Sequence, residues 1–339
     1  MTLANQQPEL LPLDERDAVD GWRAWHVFLF DNSEQDLFLR QAVAPLVRDF
    51  AVSAGPNDPG WFFIRYWENG PHLRLRFRGL SDEQFGALGE KLLAGAQEVL
   101  KTKELPKQEG DGFDFPDSWH ADPGNLPVFA AGTVAEIGYE LENRRYGGPH
   151  CRPGCEAMFG RSSQLAIEAL ETMNGDFAPL RGMGLLFHAL SAAAACEGDS
   201  ERMAEFARTT QRHWGNYLGK MIDEANAHLR PAEGAVDVAR KVVSVAQRAW
   251  EGQTPGNPLA ARWWRMLIEE RTRIAQLAEA GALRSPVTGA RPTTPRQTDA
   301  AIANILSSHI HMMMNRLGIA PILEYQFAGM LAEAQQKTK

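Results

Sequence analysis

The stretch WFFIRYWENGPHLRLRFRG, residues 61–79, decides the fold, because it predicts two strands joined by a tight turn. Residues 61–66 are aromatic and β-branched, as strands prefer, and Glu68-Asn69-Gly70-Pro71 is turn chemistry. Side chains alternate along a strand, so the apolar side chains of the second arm share one face. The other face carries His72, Arg74, Arg76 and Arg78. This basic row predicts a surface that binds an anion or a peptide.

The segments around this hairpin predict a larger sheet. Trp22–Phe30 is a strand candidate, and a helix is expected to begin at Ser33. After the hairpin, Ser81 caps a second amphipathic helix, and Val128–Tyr139 offers a fourth strand. The order strand, helix, strand, strand, helix, strand is the split βαβ, or ferredoxin-like, arrangement. If helices cover one face of such a sheet, the basic row is expected on the open face.

The second half of the chain predicts helices alone. They are expected at about residues 155–173, 179–196, 199–222, 233–251, 257–281 and 297–316, with a last one from 320. The fold class is therefore α+β, a ferredoxin-like sheet packed with a helical half. We expect a flexible arm over residues 1–20, a sheet region over 21–150 and a helical region over 151–339 that completes the same unit.

Composition excludes several classes of function. The 339 residues carry a net charge of -8 and no run of lysines or arginines, so a nucleic-acid partner is not favoured. No apolar run reaches the roughly 18 residues that a membrane span needs, and the N-terminus lacks a signal-peptide pattern. These features predict a cytoplasmic protein without a membrane partner. The basic row therefore stands out against an acidic background.

The three cysteines do not form a disulfide framework. Cys151 and Cys155 bracket a Pro-Gly turn beside His150, a spacing that could hold a metal. A structural zinc site needs about four ligands, and Cys196 is no obvious fourth. We expect reduced thiols near a helix start and no metal. Patterns for phosphate-binding loops, dinucleotide binding, a nucleophile elbow or zinc proteases are also missing, which disfavours nucleotide-dependent and redox chemistry.

Two further clusters contain groups that suit catalysis. Glu142 and Arg145 leave the fourth strand toward a glycine turn, and a carboxylate near arginines stays anionic. A plain surface salt bridge explains this pair equally well. In the last long helix His311 shares a face with Ser308 and Asn315, and histidine suits proton transfer at neutral pH. The alternative is a core helix whose histidine makes an internal hydrogen bond.

Three motifs in this order resemble the C-terminal domain of lantibiotic dehydratases and its stand-alone relatives in thiopeptide biosynthesis. They are residues 62–76, Tyr139-x-x-Glu142-x-x-Arg145-Tyr146-Gly147-Gly148, and His311-x-x-x-Asn315-Arg316-Leu317-Gly318. They span the chain from about Trp22 to the last helix. The large glutamylation domain of a full dehydratase has no counterpart in this sequence. The resemblance implies an enzyme that modifies a ribosomally made precursor peptide.

The family has two known reactions. One eliminates glutamate from glutamylated Ser or Thr to leave a dehydroamino acid. The other is pyridine synthesis, a formal [4+2] aza-cycloaddition of two dehydroalanines followed by loss of water and leader peptide. Eliminating domains commonly read His-x-His-x-Asn-Arg, whereas this chain has Met313 at the second histidine. That difference favours the pyridine synthase, with glutamate elimination as the alternative. A non-catalytic partner that binds the leader peptide is the second alternative.

The resemblance also implies the site. Arg74, Arg76, Glu142, Arg145 and His311 match the residues that eliminating domains use. The catalytic residues are expected to be Arg74, Arg76, Glu142 and His311, with Tyr325 as a further candidate for proton transfer. The substrate-binding residues would be Arg65, His72, Arg78, Arg145, Tyr146, Ser308, Asn315 and Arg316. No metal or organic cofactor is expected. The expected partners are a precursor peptide with its leader and other enzymes of the pathway, and the protein could be a monomer or a homodimer.

Overall fold

The computed structural model describes residues 21–49, 58–67, 70–102, 129–219, 222 and 234–336. The predicted arm and most of the polar insertion at 101–124 lie outside these residues. The chain divides into two compact units. The sheet unit comprises Met1–Leu141 and Phe159–Phe177, and the helical unit comprises Glu142–Met158 and Ala178–Lys339.

The sheet unit is built on four strands: β1 (Trp22–Phe28), β2 (Trp61–Tyr66), β3 (His72–Arg78) and β4 (Val134–Glu136). Their order is β2-β3-β1-β4, and every neighbouring pair is antiparallel. This is the ferredoxin-like order, which confirms the prediction. The strand predicted at Val128–Tyr139 pairs only over Val134–Glu136, because Gly132 turns the chain with φ of 83° just before it.

Helices cover one face of the sheet, as expected. They are α1 (Asn32–Phe38), continued by a π-helical turn (Leu39–Val43) into α2 (Ala44–Asp49), and α3 (Asp82–Val99). Ser81 caps α3 as predicted. The first helix is capped by Asp31 and not by Ser33, since the Glu34 carboxylate accepts from the Asp31 amide.

Trp25 fixes α3 on the sheet. Its ring stacks on Phe85 at 4.8 Å, and its indole N–H donates to the Phe85 carbonyl at 3.1 Å. Gly89 makes room for the ring, because a Cβ there would lie 2.5 Å from it. A close aromatic pair of this kind adds to the area that it buries.

The second face of the sheet is not open, so that expectation was wrong. Phe62 and Ala24 on this face are each 1% exposed. Part of the cover is α4 (Arg152–Thr172), whose Phe159 packs on Phe62 at 5.3 Å. The same helix protects the β2 edge, since Ser163 Oγ accepts from the Phe63 amide at 3.1 Å. A buried edge of this kind resists pairing with a second chain.

The helical unit contains the rest of the predicted helices. They are α5 (Phe177–Cys196), α6 (Ser200–Leu218), α7 (Ala235–Trp250), α8 (Pro258–Glu279), α9 (Pro295–Arg316) and α10 (Pro321–Ala334). Helix α10 packs against α6 and α7, and α8 packs against α9. Gly329 lets α10 approach α6, because a Cβ there would lie 2.6 Å from Gln211. In the described part of the chain, no helix has the length and apolar character needed to cross a bilayer.

Candidate functional site

The basic row on β3 lies on one face, as the alternation predicted. The strand register places it beside His26 of β1 and Phe62 of β2. Its guanidinium groups lie over aromatic rings: Arg74 over Tyr66 at 3.5 Å, Arg76 over Tyr139 at 4.4 Å and Arg78 over Trp22 at 5.1 Å. These cation–π contacts hold the cations in fixed positions on a surface that is otherwise aromatic.

The three arginines of the row differ in how a ligand could reach them. Arg78 forms an ion pair with Asp58, so its charge is already compensated. Arg76 is buried, with 7% of its surface exposed. Arg74 is half-buried, and its Nε donates to His72 Nε2 at 3.1 Å. Arg74 is therefore the arginine of the row best placed to meet a peptide.

His72 supports Arg74 and stays neutral. Its Nδ1–H donates to the Gly70 carbonyl at 2.7 Å, which leaves Nε2 to accept from Arg74. Burial is the largest cause that lowers the pKa of His72 to about 3; the neighbouring arginines act in the same direction, and the bond to Gly70 opposes them. The ring of His26 stacks on His72 at 4.9 Å, and burial lowers its pKa well below the usual value as well. Both nitrogens of His72 are used inside the fold, and its predicted role in substrate binding stays a prediction.

The neutral His72 predicts a loss of stability in acid. The unfolded chain binds the proton near its ordinary pKa of about 6.5, whereas the folded chain binds it only near about 3. The stabilising contribution is therefore complete above about pH 6.5 and is lost as the pH falls toward 3, about 2 kcal/mol by pH 5. Between about pH 7 and 5, the melting temperature of His72→Phe should fall less steeply than that of the unchanged protein. Equal slopes would contradict this assignment.

Arg65 lies on the other face of the sheet, away from the basic row. Its register partner is Leu73, and its guanidinium is buried in an ion pair with Asp36 of α1. Gln35 accepts a second, longer bond from it at 3.4 Å. Arg65 therefore fixes α1 to the sheet from the buried side, and a contact with substrate stays a prediction.

In the helical unit, the glycine turn brings Glu142 and Arg145 onto α9. Gly147 and Gly148 have φ of 78° and 96°, and a Cβ on Gly147 would lie 2.9 Å from Ile305 of α9. The turn can therefore approach the helix closely. Arg145 Nη1 donates to the Glu142 carboxylate at 3.2 Å, and its Nε donates to Ser308 of α9 at 3.4 Å. Arg145 therefore joins the Glu142 carboxylate to the helix, and the two side chains are 41% exposed for Glu142 and 38% for Arg145.

His311 faces outward from the same helix and contacts a buried carboxylate. Its Nδ1 lies 2.7 Å from Glu324 Oε1, and the second carboxylate oxygen of Glu324 lies 3.6 Å from His188 Nε2. The His311 side chain is 24% exposed and that of Glu324 is 1% exposed. Burial raises the pKa of Glu324, but His311 and His188 outweigh it and lower the pKa, so the carboxylate is anionic. Trp214 of α6 packs on His311 at 4.9 Å.

The other predicted residues of the helical unit divide into reachable and buried ones. Tyr325 and Asn315 are half-buried. Tyr146 and Arg316 are buried, with exposures of 1% and 0%, so the structure places both in the core. Tyr146 packs on His309 at 5.7 Å, and burial raises its pKa. Met313 is fully buried, so its position contributes packing to the core.

Cys151 and Cys155 belong to a buried polar cluster of the helical unit. The donor atoms of Cys155, Glu270 and His309 lie within 4.8 Å of one another, a spacing that could suit a metal. However, Arg273 Nη2 lies 2.7 Å from Glu270, 3.4 Å from the Cys155 sulfur and 3.6 Å from the Cys151 sulfur. Gly154 admits this guanidinium, because a Cβ there would lie 2.3 Å from it. The guanidinium thus supplies the positive charge of the cluster, and both thiols are free, as predicted.

Comparison with known proteins places the chain in a family. The sequence pattern of the C-terminal part of lantibiotic biosynthesis dehydratases matches residues 22–335. The chain belongs to this lantibiotic dehydratase C-terminal family. No curated protein sequence matches it significantly.

Several solved structures share the fold of this family member. The pyridine synthase TbtD from thiomuracin biosynthesis aligns with a TM-score of 0.63 and 16% identity, covering 92% of this chain and 97% of that one. TsrL aligns with a TM-score of 0.62 and 16% identity, covering 92% and 93%. The tRNA-dependent lantibiotic dehydratase MibB from Microbispora sp. 107891 aligns with a TM-score of 0.51 and 20% identity, covering 93% of this chain but 28% of that one.

The sequence interpretation missed Glu324 and His188. Glu324 follows His311 by 13 residues, and the Gly318 turn folds α10 back so that the two meet. One signal was present in the sequence, because Glu324 is a single acid among the apolar residues at the start of α10. A buried carboxylate needs a partner, and a histidine on the preceding helix is a suitable one.

Proposed function

We propose that this protein is a pyridine synthase of thiopeptide biosynthesis. It would join two dehydroalanines of one precursor peptide by a formal [4+2] aza-cycloaddition and then release water and the leader peptide. The observation that carries the proposal is the helix α9 motif, in which a reachable His311 is followed by a fully buried Met313. Eliminating domains commonly have a second histidine at this position, whereas here the Met313 side chain packs in the core.

The accessible groups of the helical unit suit the proton transfers of this reaction. One amide of the peptide must lose its N–H proton and gain a proton on its carbonyl oxygen, which gives the iminol form of the azadiene. His311 is a candidate for one of these transfers, and Tyr325 or Glu142 for the other. Arg145 holds Glu142 in place at 3.2 Å. No metal or organic cofactor is needed for these steps.

The half-buried Arg74 of the basic row is the candidate contact for the peptide. Arg74 is half-buried and fixed over Tyr66 at 3.5 Å, so little side-chain entropy is lost when it binds an anionic group. The chain is acidic overall, with a net charge of -8, so a local row of cations gives an acidic leader a preferred place to bind. Folding the peptide on a fixed surface also lowers the entropic cost of bringing two distant dehydroalanines together.

Reversing the charge of Arg74 tests the binding role. Arg74→Glu should weaken binding of a fluorescent leader peptide by about tenfold, because a repulsive charge replaces an attractive one. The matched control is Arg48→Glu, the same charge change at an exposed arginine of the same unit that pairs with Glu171. Fluorescence anisotropy measures both affinities. Equal weakening by the two variants would show a general charge effect and would contradict a binding role for the basic row.

Two peptides separate the candidate reactions. One carries a leader, azoles and dehydroalanines, and the other carries glutamylated serine. Conversion of the first peptide supports the cycloaddition, whereas loss of glutamate from the second alone supports elimination. A non-catalytic partner would leave both peptides unchanged while still binding the leader. In that case His311→Ala and Tyr325→Phe would not change product formation by a second enzyme.

A further inference from the structure

Two histidines of α9 each contact a buried glutamate, but only one can reach a substrate. His309 Nε2 lies 3.2 Å from Glu270, and its side chain is 1% exposed. His311 Nδ1 lies 2.7 Å from Glu324, and its side chain is 24% exposed. The two pairs can therefore be compared within one protein: Glu270 contacts a buried imidazole, and Glu324 contacts an imidazole that a substrate can reach.

The bond to Glu324 fixes how the His311 ring carries its proton. An ionised carboxylate can only accept hydrogen bonds, so the contact at 2.7 Å places the hydrogen on Nδ1. Nε2 then becomes the nitrogen with a lone pair. The ring is also confined by Trp214 at 4.9 Å, so both its tautomer and its orientation are restricted. This is the arrangement in which a carboxylate holds a histidine ready to accept a proton.

Burial and a second histidine hold the Glu324 carboxylate beside His311. It is 1% exposed, and its second oxygen lies 3.6 Å from His188, which is itself 3% exposed. The carboxylate therefore has imidazole nitrogens on both sides. Glu324 also follows the tight turn at Gly318 and lies in the first turn of α10, a rigid element that packs on α6 and α7.

We propose that Glu324 is the positioning residue of His311, accepting its Nδ1 hydrogen so that Nε2 is the atom that exchanges a proton with the peptide. The catalytic part of this inference rests on the proposed function, whereas the tautomer is a property of the protein alone. Glu324 does not itself touch the substrate.

The tautomer can be read without any substrate. Long-range proton–nitrogen correlation spectra of protein labelled with ¹⁵N-histidine distinguish Nδ1–H from Nε2–H rings, and His311→Gln assigns the signal. We expect His311 to have the Nδ1–H pattern and to lose it in Glu324→Leu, which removes the acceptor, while His309 keeps its own pattern in the same spectrum. An unchanged His311 tautomer in Glu324→Leu would overturn the proposal.

The kinetics of Glu324 variants distinguish a role in positioning His311 from a role in packing the core. Glu324→Gln keeps the shape and removes the charge, so kcat should fall by about 100-fold while KM stays within about threefold. Glu324→Asp keeps the charge and should retain more activity than the glutamine variant, although it packs less well. Glu270→Gln removes the matching core carboxylate and should leave kcat within about threefold in the fraction that folds.

The opposite order, with Gln more active than Asp, would mean that Glu324 acts through packing and would overturn the proposal. If the unchanged protein converts no dehydroalanine peptide, the proposed function fails, whereas the spectra still decide whether Glu324 sets the tautomer. The two failures are therefore distinguishable.

Discussion

His311→Gln should lower product formation by about a thousandfold at saturating peptide, because an amide cannot exchange protons at neutral pH as an imidazole does. Leader binding should stay within about twofold, since the change removes a proton-transfer group and no charged contact of the basic row. The measurement is the single-turnover rate of product formation, followed by mass spectrometry.

The control for this change is His213→Gln. His213 is an exposed histidine of α6 in the same unit, and it should tolerate the change without loss of rate. If His311→Gln retains more than about a third of the rate, His311 is not the proton-transfer group, and that outcome would contradict the assignment.

Asp36→Ala should destabilise the protein by about 3–5 kcal/mol, because it leaves the Arg65 guanidinium buried without its carboxylate. Asp36 and Arg65 are 3% and 6% exposed. The free energy of unfolding of the sheet unit, followed by urea titration of tryptophan fluorescence, measures the loss. Replacing both partners with apolar residues of similar size, Asp36→Leu with Arg65→Met, should recover most of it.

An exposed ion pair of the same unit is the matched control. Arg48 pairs with Glu171, and their side chains are 63% and 33% exposed. Glu171→Ala should cost less than about 1 kcal/mol, because water screens the pair. If the buried and the exposed substitutions cost the same, burial does not determine the strength of the Arg65–Asp36 pair, and the account of how α1 is fixed to the sheet is wrong.

Local patterns were sufficient to predict most of the fold. Alternation along β3 predicted which face carries Arg74 and Arg76, and helical periodicity predicted the seven helices from α4 to α10. Both patterns depend on neighbours in sequence. The ferredoxin-like strand order also followed, because short connections of this type allow few topologies.

Contacts between distant parts of the chain were harder to predict. The sequence does not show that His188 and His311 meet on the Glu324 carboxylate, because three different helices bring these residues together. Alternation could have placed Arg65 correctly, since it shares a face with the apolar Phe63 and not with the basic row. The burial of the second sheet face was also missed, because cation–π packing lets arginines lie on an aromatic surface.

Incubation with a dehydroalanine peptide shows directly whether the protein forms a pyridine. The purified protein is incubated with a leader-bearing peptide that contains azoles and two dehydroalanines, and the products are identified by high-resolution mass spectrometry and proton NMR. We expect a product lighter by one water and the leader peptide, with aromatic pyridine protons. An untouched dehydroalanine peptide, together with loss of glutamate from a glutamylated peptide, would contradict it.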